Sequence, residues 1–172
     1  MTKEEIEQIF QNSDSSDELF DAFAFSLKLG ISDFEFYKPL LGNRALSSDE
    51  IKMFAEKLAK EMKNQAIDIY LWTGNLFIGI SLEDSFNYYY KAFFIDPTNY
   101  LPLSMMINLI NYDYDDPFNK IILGFVESNV VSVHKKSEIY YSLSKHYKKI
   151  NDLKNAAKYL ALAEKASERE SE

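Results

Sequence analysis

No cysteine occurs among the 172 residues of this chain, which excludes disulfides, zinc–thiolate centres and thiol nucleophiles together. Helix packing must then carry the stability. Glycine occurs five times and proline four, too few for a fold of many short strands, whereas Ala, Leu, Lys and Glu are plentiful. An all-α chain is the natural reading. Long apolar runs are missing too: the most apolar window, residues 67–82, is broken by Asp68, Thr73 and Asn75 and falls short of the about 20 residues that a membrane-spanning helix needs. The opening MTKEEIEQIF pairs an acidic flank with an amphipathic pattern, unlike the basic start and continuous apolar core of a secretory signal. A cytoplasmic protein without membrane insertion is expected.

The catalytic vocabulary is equally thin. The two histidines, His134 and His146, offer no metal-ligand pair and read as surface or boundary residues. Ser142, Ser144, Lys145 and His146 crowd one predicted helix but point in different directions, so they supply no nucleophile with its base. No phosphate-cradling glycine loop is present. In NYDYDDP, Asp113, Asp115 and Asp116 have the density of a calcium loop but lack its glycine and closing glutamate. Asp116 capping a helix that starts at Pro117 accounts for the stretch better. No enzyme, metal or cofactor is expected.

The 47% of apolar residues is enough to bury a sizeable core in one domain or one short repeat array. The formal net charge is −8, with 8 basic and 16 acidic side chains in residues 1–86 against 11 of each in residues 87–172. Such a balance argues against nucleic acid as a partner, because phosphate binding requires concentrated Lys and Arg. Within the balanced half, eight lysines between Lys135 and Lys165 are set against Glu138, Asp152 and Glu164, a basic stretch able to steer an acidic partner.

One pattern is written more than once. The stretch IYLWTGNLFIGI, residues 69–80, returns as IYYSLSKHYKKI, residues 139–150, so that Tyr70 aligns with Tyr140, Gly74 with Ser144, Phe77 with Tyr147 and Ile80 with Ile150. Each copy is followed by a second amphipathic stretch, carrying Phe86, Tyr89, Tyr90 and Phe93 or Leu153, Ala156, Ala157 and Leu160, at the spacing of a helix face. The interval of 70 residues is about twice a 34-residue helix–turn–helix unit, which predicts a third copy between them. PLSMMINLINYD, residues 102–113, supplies it weakly through Leu103, Ile107 and Ile110.

On these residues the chain resembles the tetratricopeptide repeat (TPR) family over about residues 67–168. In that family a first helix carries an aromatic, a small residue and a second aromatic, and a second helix carries small residues and often ends in Asp-Pro. GNLF at Gly74 and YYYKAFFIDPTN at residues 88–99, with Ala92 and Pro97, match that pattern. So does the stretch from Ser137 to Ala166, through Leu143, Ser144, Tyr147, Ala156 and Ala163. The middle copy departs from it: Ile107 replaces the small residue, and Pro117, Ile121, Ile122 and Phe125 make a loose second helix. Residues 1–66 do not match, yet SSDE at Ser15–Glu18 and again at Ser47–Glu50, and Thr2 with Glu5, read as capping boxes. The helix after Ser47 places Ile51, Phe54, Ala55, Leu58, Ala59 and Met62 on one face, and Leu29-Gly30 and Pro39–Asn43 read as helix ends. About ten helices in five antiparallel pairs are expected. They divide into a helical N-terminal region (1–66), three TPR-like pairs (67–168) and a frayed tail (169–172).

The resemblance implies a right-handed superhelix, a TPR-like α-solenoid, whose concave face is lined by the first helix of each pair. Residues off the packing stripe then point inward: Asp68, Leu71, Asn75, Ile78, Leu101, Ser104, Asn108, Asn111, Glu138, Tyr141, Lys145 and Lys148. Of these, Asn75, Asn108, Asn111, Tyr141, Lys145 and Lys148 form the expected peptide-binding set, because a carboxamide both donates to and accepts from an extended backbone and the lysines neutralise a carboxylate. Only Asn75 fits the family's grip on a chaperone's acidic C-terminus, so that partner is disfavoured. The expected function is a protein–protein interaction module, an adaptor or cytosolic chaperone holding a peptide or partner helix. The alternative is a structural, self-assembling module, a homodimer through exposed aromatic surface.

Overall fold

The computed structural model describes residues 1–113 and 116–172, so Asp115 of the acidic NYDYDDP stretch lies outside the described residues. Among them are ten α-helices and no strand: α1 (Lys3–Asn12), α2 (Ser16–Lys28), α3 (Lys38–Leu41), α4 (Ser48–Glu61), α5 (Ala66–Phe77), α6 (Leu82–Ile95), α7 (Leu101–Ile107), α8 (Pro117–Asn129), α9 (Lys136–Lys149) and α10 (Leu153–Glu170). Two compact units result, Met1–Leu76 and Phe77–Glu172.

In the first unit two of the expected capping boxes are complete. The Thr2 and Ser47 hydroxyls accept the amides of Glu5 and Glu50, whose carboxylates each accept the capping residue's own amide at 2.7 Å. Ser15 makes only half a box. Its hydroxyl accepts the Glu18 amide, but its own amide is already taken by the Ser13 hydroxyl, and the Glu18 carboxylate accepts from Ser13 instead. α2 ends as expected at Leu29-Gly30. Gly30 has φ +70°, and the amides of Gly30 and Ile31 return to the carbonyls of Leu27 and Ser26, the closure that a left-handed glycine permits. The Pro39–Asn43 stretch is more than a helix end: it follows a 3₁₀ turn at Phe34–Tyr37 and belongs largely to the one-turn α3, with Pro39 in the first turn, where a missing N–H costs nothing. The core is aromatic. Phe23 packs on Phe54 at 4.7 Å between ring centres and on Tyr37 at 5.9 Å, while Phe10 meets Phe36 at 5.5 Å. Of the face expected on α4, Phe54, Ala55, Leu58, Ala59 and Met62 are buried, and Ile51 is half-buried.

The second unit begins with Phe77, fully buried and stacked on Tyr88. α6 buries Phe86, Tyr89, Ala92 and Phe93, and Phe125 of α8 stands nearly perpendicular to the rings of Phe86 and Phe93. Tyr90, expected on the packing stripe, sits at its exposed margin, 4.5 Å from Phe94 and 5.2 Å from Phe125 between ring centres. Asp116 caps α8 by accepting the Phe118 amide, with Pro117 at the first position, as expected. α7, the first helix of the middle copy, is only seven residues long. Leu109 and Ile110 turn into the core through amides that reach back three residues to Met106 and Ile107, which pulls the chain off the helical path before Asn111.

α9 and α10 form the tightest antiparallel pair. Ser144 stands where the pattern calls for a small residue, and its hydroxyl donates to the Ala156 carbonyl at 2.8 Å; a larger side chain would hold the helices apart. The turn between them is a left-handed cap on Asn151 (φ +60°), with Asp152 returning its amide to the Tyr147 carbonyl and Asn151 to Lys148. The pair departs from the repeat pattern in two places. Tyr147 is half-buried, not fully enclosed, because its hydroxyl reaches Glu127, which also accepts from Tyr159 at 2.9 Å. The packing stripe of α10 is Ala156, Tyr159 and Ala163, so Leu153, Ala157 and Leu160 are exposed. Tyr159 is buried in this rotation, stacked on Tyr147 at 5.5 Å between ring centres. Finally, α10 runs through Glu170. The Glu170 carboxylate accepts both the amide and the hydroxyl of Ser137, capping α9, whose own N-cap Lys135 has no side-chain oxygen to offer.

Candidate functional site

An open groove of about 460 Å³ lies in the second unit between the turn after α7 and the face of α9. Ile107, Asn108, Ile110 and Tyr112 line one side and Ser142, Lys145, His146 and Lys149 the other. Ser142, Lys145, His146 and Lys149 share that side because residues three and four apart stack along one helix face; of the four residues Ser142, Ser144, Lys145 and His146, expected to point in different directions, only Ser144 turns away, toward the Ala156 carbonyl. Asn108, Tyr112, Lys145 and Lys149 are exposed, and no carboxylate is among the described residues of the lining. The Lys149 ammonium stands 3.8 Å from the centre of the Tyr112 ring, a cation–π contact that holds the charge over the groove.

Beneath these lysines lies a histidine that the sequence placed at the surface or its boundary. His146 is 4% exposed. Its Nδ1 is 2.9 Å from the Tyr112 hydroxyl, and its Nε2 is buried without a hydrogen-bond partner. With one imidazole nitrogen unpaired and away from water, the charged form is disfavoured. Burial holds the imidazole below its ordinary range, against a weaker opposing pull from the Glu127 carboxylate. Burial likewise raises the Tyr112 phenol above its usual value. The lining therefore presents two ammonium groups, a carboxamide and a hydroxyl over a neutral, apolar-backed floor. Such a surface can hold carboxylates and hydrogen-bond a polypeptide backbone.

Of the six expected peptide-binding residues, Asn108 and Lys145 line this groove. Asn111 lies beyond the end of α7, and its role is architectural: its amide and carbonyl are clasped by the Asn119 carboxamide at 3.0 and 2.6 Å, and its own side-chain oxygen accepts from Asp113. Tyr141 and Lys148 are exposed on α9 outside the lining, and Asn75 is exposed on α5 in the first unit. Leu71, expected to face a ligand, is buried. The residues missed were Tyr112, Ser142, His146 and Lys149. Lys149 and Ser142 carried a signal, since both lie at helical spacing from Lys145 and His146; Tyr112 carried none, because its loop was read as helix.

No described helix is long and apolar enough to cross a membrane. Compared with known proteins, the chain matches no family model, no curated protein sequence and no solved structure.

Proposed function

We propose that the chain is a protein-interaction module, an adaptor or chaperone of the TPR-like helical-repeat kind, whose second unit holds an acidic polypeptide segment in the groove of Asn108, Tyr112, Ser142, Lys145 and Lys149. The observation that carries this reading is the placing of Lys145 and Lys149 in one groove beside a carboxamide and a hydroxyl. The sequence resemblance over residues 67–168 and the close α9–α10 pairing through Ser144 support it further. Lys145 and Lys149 pair with carboxylates of the segment, and Asn108 reads its backbone. Both lysines are exposed, so the attraction is screened by salt over about 10 Å at 0.1 M.

Fluorescence anisotropy with a labelled octaglutamate peptide, and octaglutamine as its neutral counterpart, tests the reading. Octaglutamate is expected to bind and octaglutamine not. Lys145→Glu with Lys149→Glu is expected to abolish binding while leaving the melting temperature almost unchanged, since exposed substitutions shift stability by less than about 0.5 kcal/mol. Equal binding of the two peptides, or binding that survives the double substitution, would remove the groove from consideration.

A further inference from the structure

His146 belongs to the groove and is buried in it, with Nδ1 beside the Tyr112 hydroxyl and Nε2 without a partner. Lys145 precedes it by one residue and Lys149 follows it by three, and all three line the same groove. An anion drawn to both ammonium groups therefore spans the one turn of α9, about 6 Å of rise, that contains the imidazole. Among the described residues, few other titratable groups face the ring. The turn after α7 supplies Tyr112, α8 supplies Glu127, and α9 itself adds Tyr147 at 5.0 Å between ring centres. α7 carries no titratable side chain. Glu127 already accepts from Tyr147 and from Tyr159 of α10, so the carboxylate nearest His146 is committed to two phenols. An imidazolium at this position lacks an uncommitted counter-ion among these groups, and an acidic segment brings one.

We infer that the groove takes up its acidic segment together with a proton on His146, so that the segment is held more tightly as pH falls below neutral; this rests on the groove holding an acidic segment as proposed above. A carboxylate seated between Lys145 and Lys149 strengthens the imidazole's hold on a proton, because a nearby opposite charge favours the charged form. The effect is reciprocal. Whatever the segment adds to the binding of the proton, the proton adds to the binding of the segment. In the chain alone, burial keeps the imidazole below its ordinary 6.5, so above neutral pH the groove works through its lysines. As pH falls through the higher pKa of the complex the affinity rises, and it levels off below the pKa of the chain alone. A histidine at this place thus gives an otherwise permanently charged groove a sensitivity to mild acid.

Fluorescence anisotropy with labelled octaaspartate, whose carboxyl groups titrate near about 3.9 and stay ionised, reads the affinity between about pH 7.5 and 5.5 at constant ionic strength. The wild-type chain is expected to bind about fivefold or more tightly at the lower pH, and His146→Gln to show no such gain. A second measurement needs no variant. The Cε1–H resonance of His146, followed by NMR, is expected to titrate at higher pH with octaaspartate than without it. His134, the other histidine of the chain, is exposed outside the lining and reports any effect of the peptide that is not local to the groove. Binding at about pH 7.5 that the lysine substitutions abolish but that fails to tighten in acid, a gain of equal size in His146→Gln, or a His146 titration unmoved by the peptide would each overturn the inference and leave the groove's hold on acidic segments standing. Octaaspartate that binds at neither pH would overturn both.

Discussion

The Tyr112 hydroxyl and Nδ1 of His146 meet at 2.9 Å, joining the turn after α7 to the last turn of α9 and leaving Nε2 of the same ring buried and unpaired. The folded chain therefore prefers neutral His146, with a pKa below the ordinary value, burial being the main cause. The unfolded chain takes up that proton first as pH falls. This contribution is fully present above the unfolded value of about 6.5 and is lost progressively as pH falls from there toward the folded pKa. Thermal melts between pH 7.5 and about 5.5 are expected to show the wild type losing stability on acidification more steeply than His146→Gln. Parallel pH profiles for the two proteins would show that the histidine is not held neutral.

Glu127 accepts from two tyrosines that stack on each other, Tyr147 and Tyr159. Burial first, and then this carboxylate, hold both phenols well above their usual range. Glu127→Ala removes the shared acceptor and is expected to cost about 1.5 to 3 kcal/mol in denaturant unfolding. Glu127→Gln, which keeps an acceptor oxygen, is expected to cost less. If alanine and glutamine are equally mild, the hydroxyls are satisfied elsewhere.

Phe77 and Tyr147 hold equivalent places in the repeat, but their surroundings differ. Phe77 is fully enclosed against Tyr88, and Phe77→Ala is expected to cost about 3 to 5 kcal/mol through lost transfer energy and the cavity left behind. Tyr147→Ala is expected to cost less, because Tyr147 is only half-buried. Urea midpoints at equal slope measure the difference, and a larger loss at Tyr147 would contradict the burial described.

In the first unit, Asn43 is buried with its whole carboxamide engaged. It donates to the carbonyls of Phe10 and Ser13 at 3.0 and 3.1 Å and accepts the Ala45 amide at 2.8 Å. Asn43→Ala strips the donors from the last turn of α1 and is expected to destabilise by about 1 to 3 kcal/mol. Asn43→Asp, similar in shape but unable to donate, is expected to be at least as damaging at neutral pH. Chemical denaturation followed by circular dichroism decides between them.

Much of this architecture was legible residue by residue. The helix starts at Thr2, Ser47 and Asp116 and the stop at Gly30 are local events, settled by one side chain and the few amides within its reach, so short sequence windows contain them. Ser144 was legible as a close-contact position because only a small residue serves there. The groove was half legible. Lys145 and Asn108 were placed in one site from periodicity, but Asn111 was misplaced because α7 was assumed to run on to Asp113. What ends α7 is the burial of Leu109 and Ile110 and the clasp from Asn119, a residue beyond the turn, and no window centred on α7 contains that information.

The sequence by itself determined that the chain is all-α, where most helices begin, and that its second half is the more basic one, because composition, capping and charge depend only on neighbours along the chain. The tertiary structure alone decided which faces those helices hide. α10 is apolar on more than one side, and periodicity could not choose between the Leu153–Ala157–Leu160 stripe and the Ala156–Tyr159–Ala163 stripe. The choice fell to Tyr159, whose ring needs Tyr147 to stack on and whose hydroxyl needs Glu127. The same holds for His146: a polar residue four places from Ser142 reads as surface until a phenol from another segment supplies its hydrogen bond and closes over it. Burial is a property of what packs opposite, and what packs opposite is set by contacts distant in the chain.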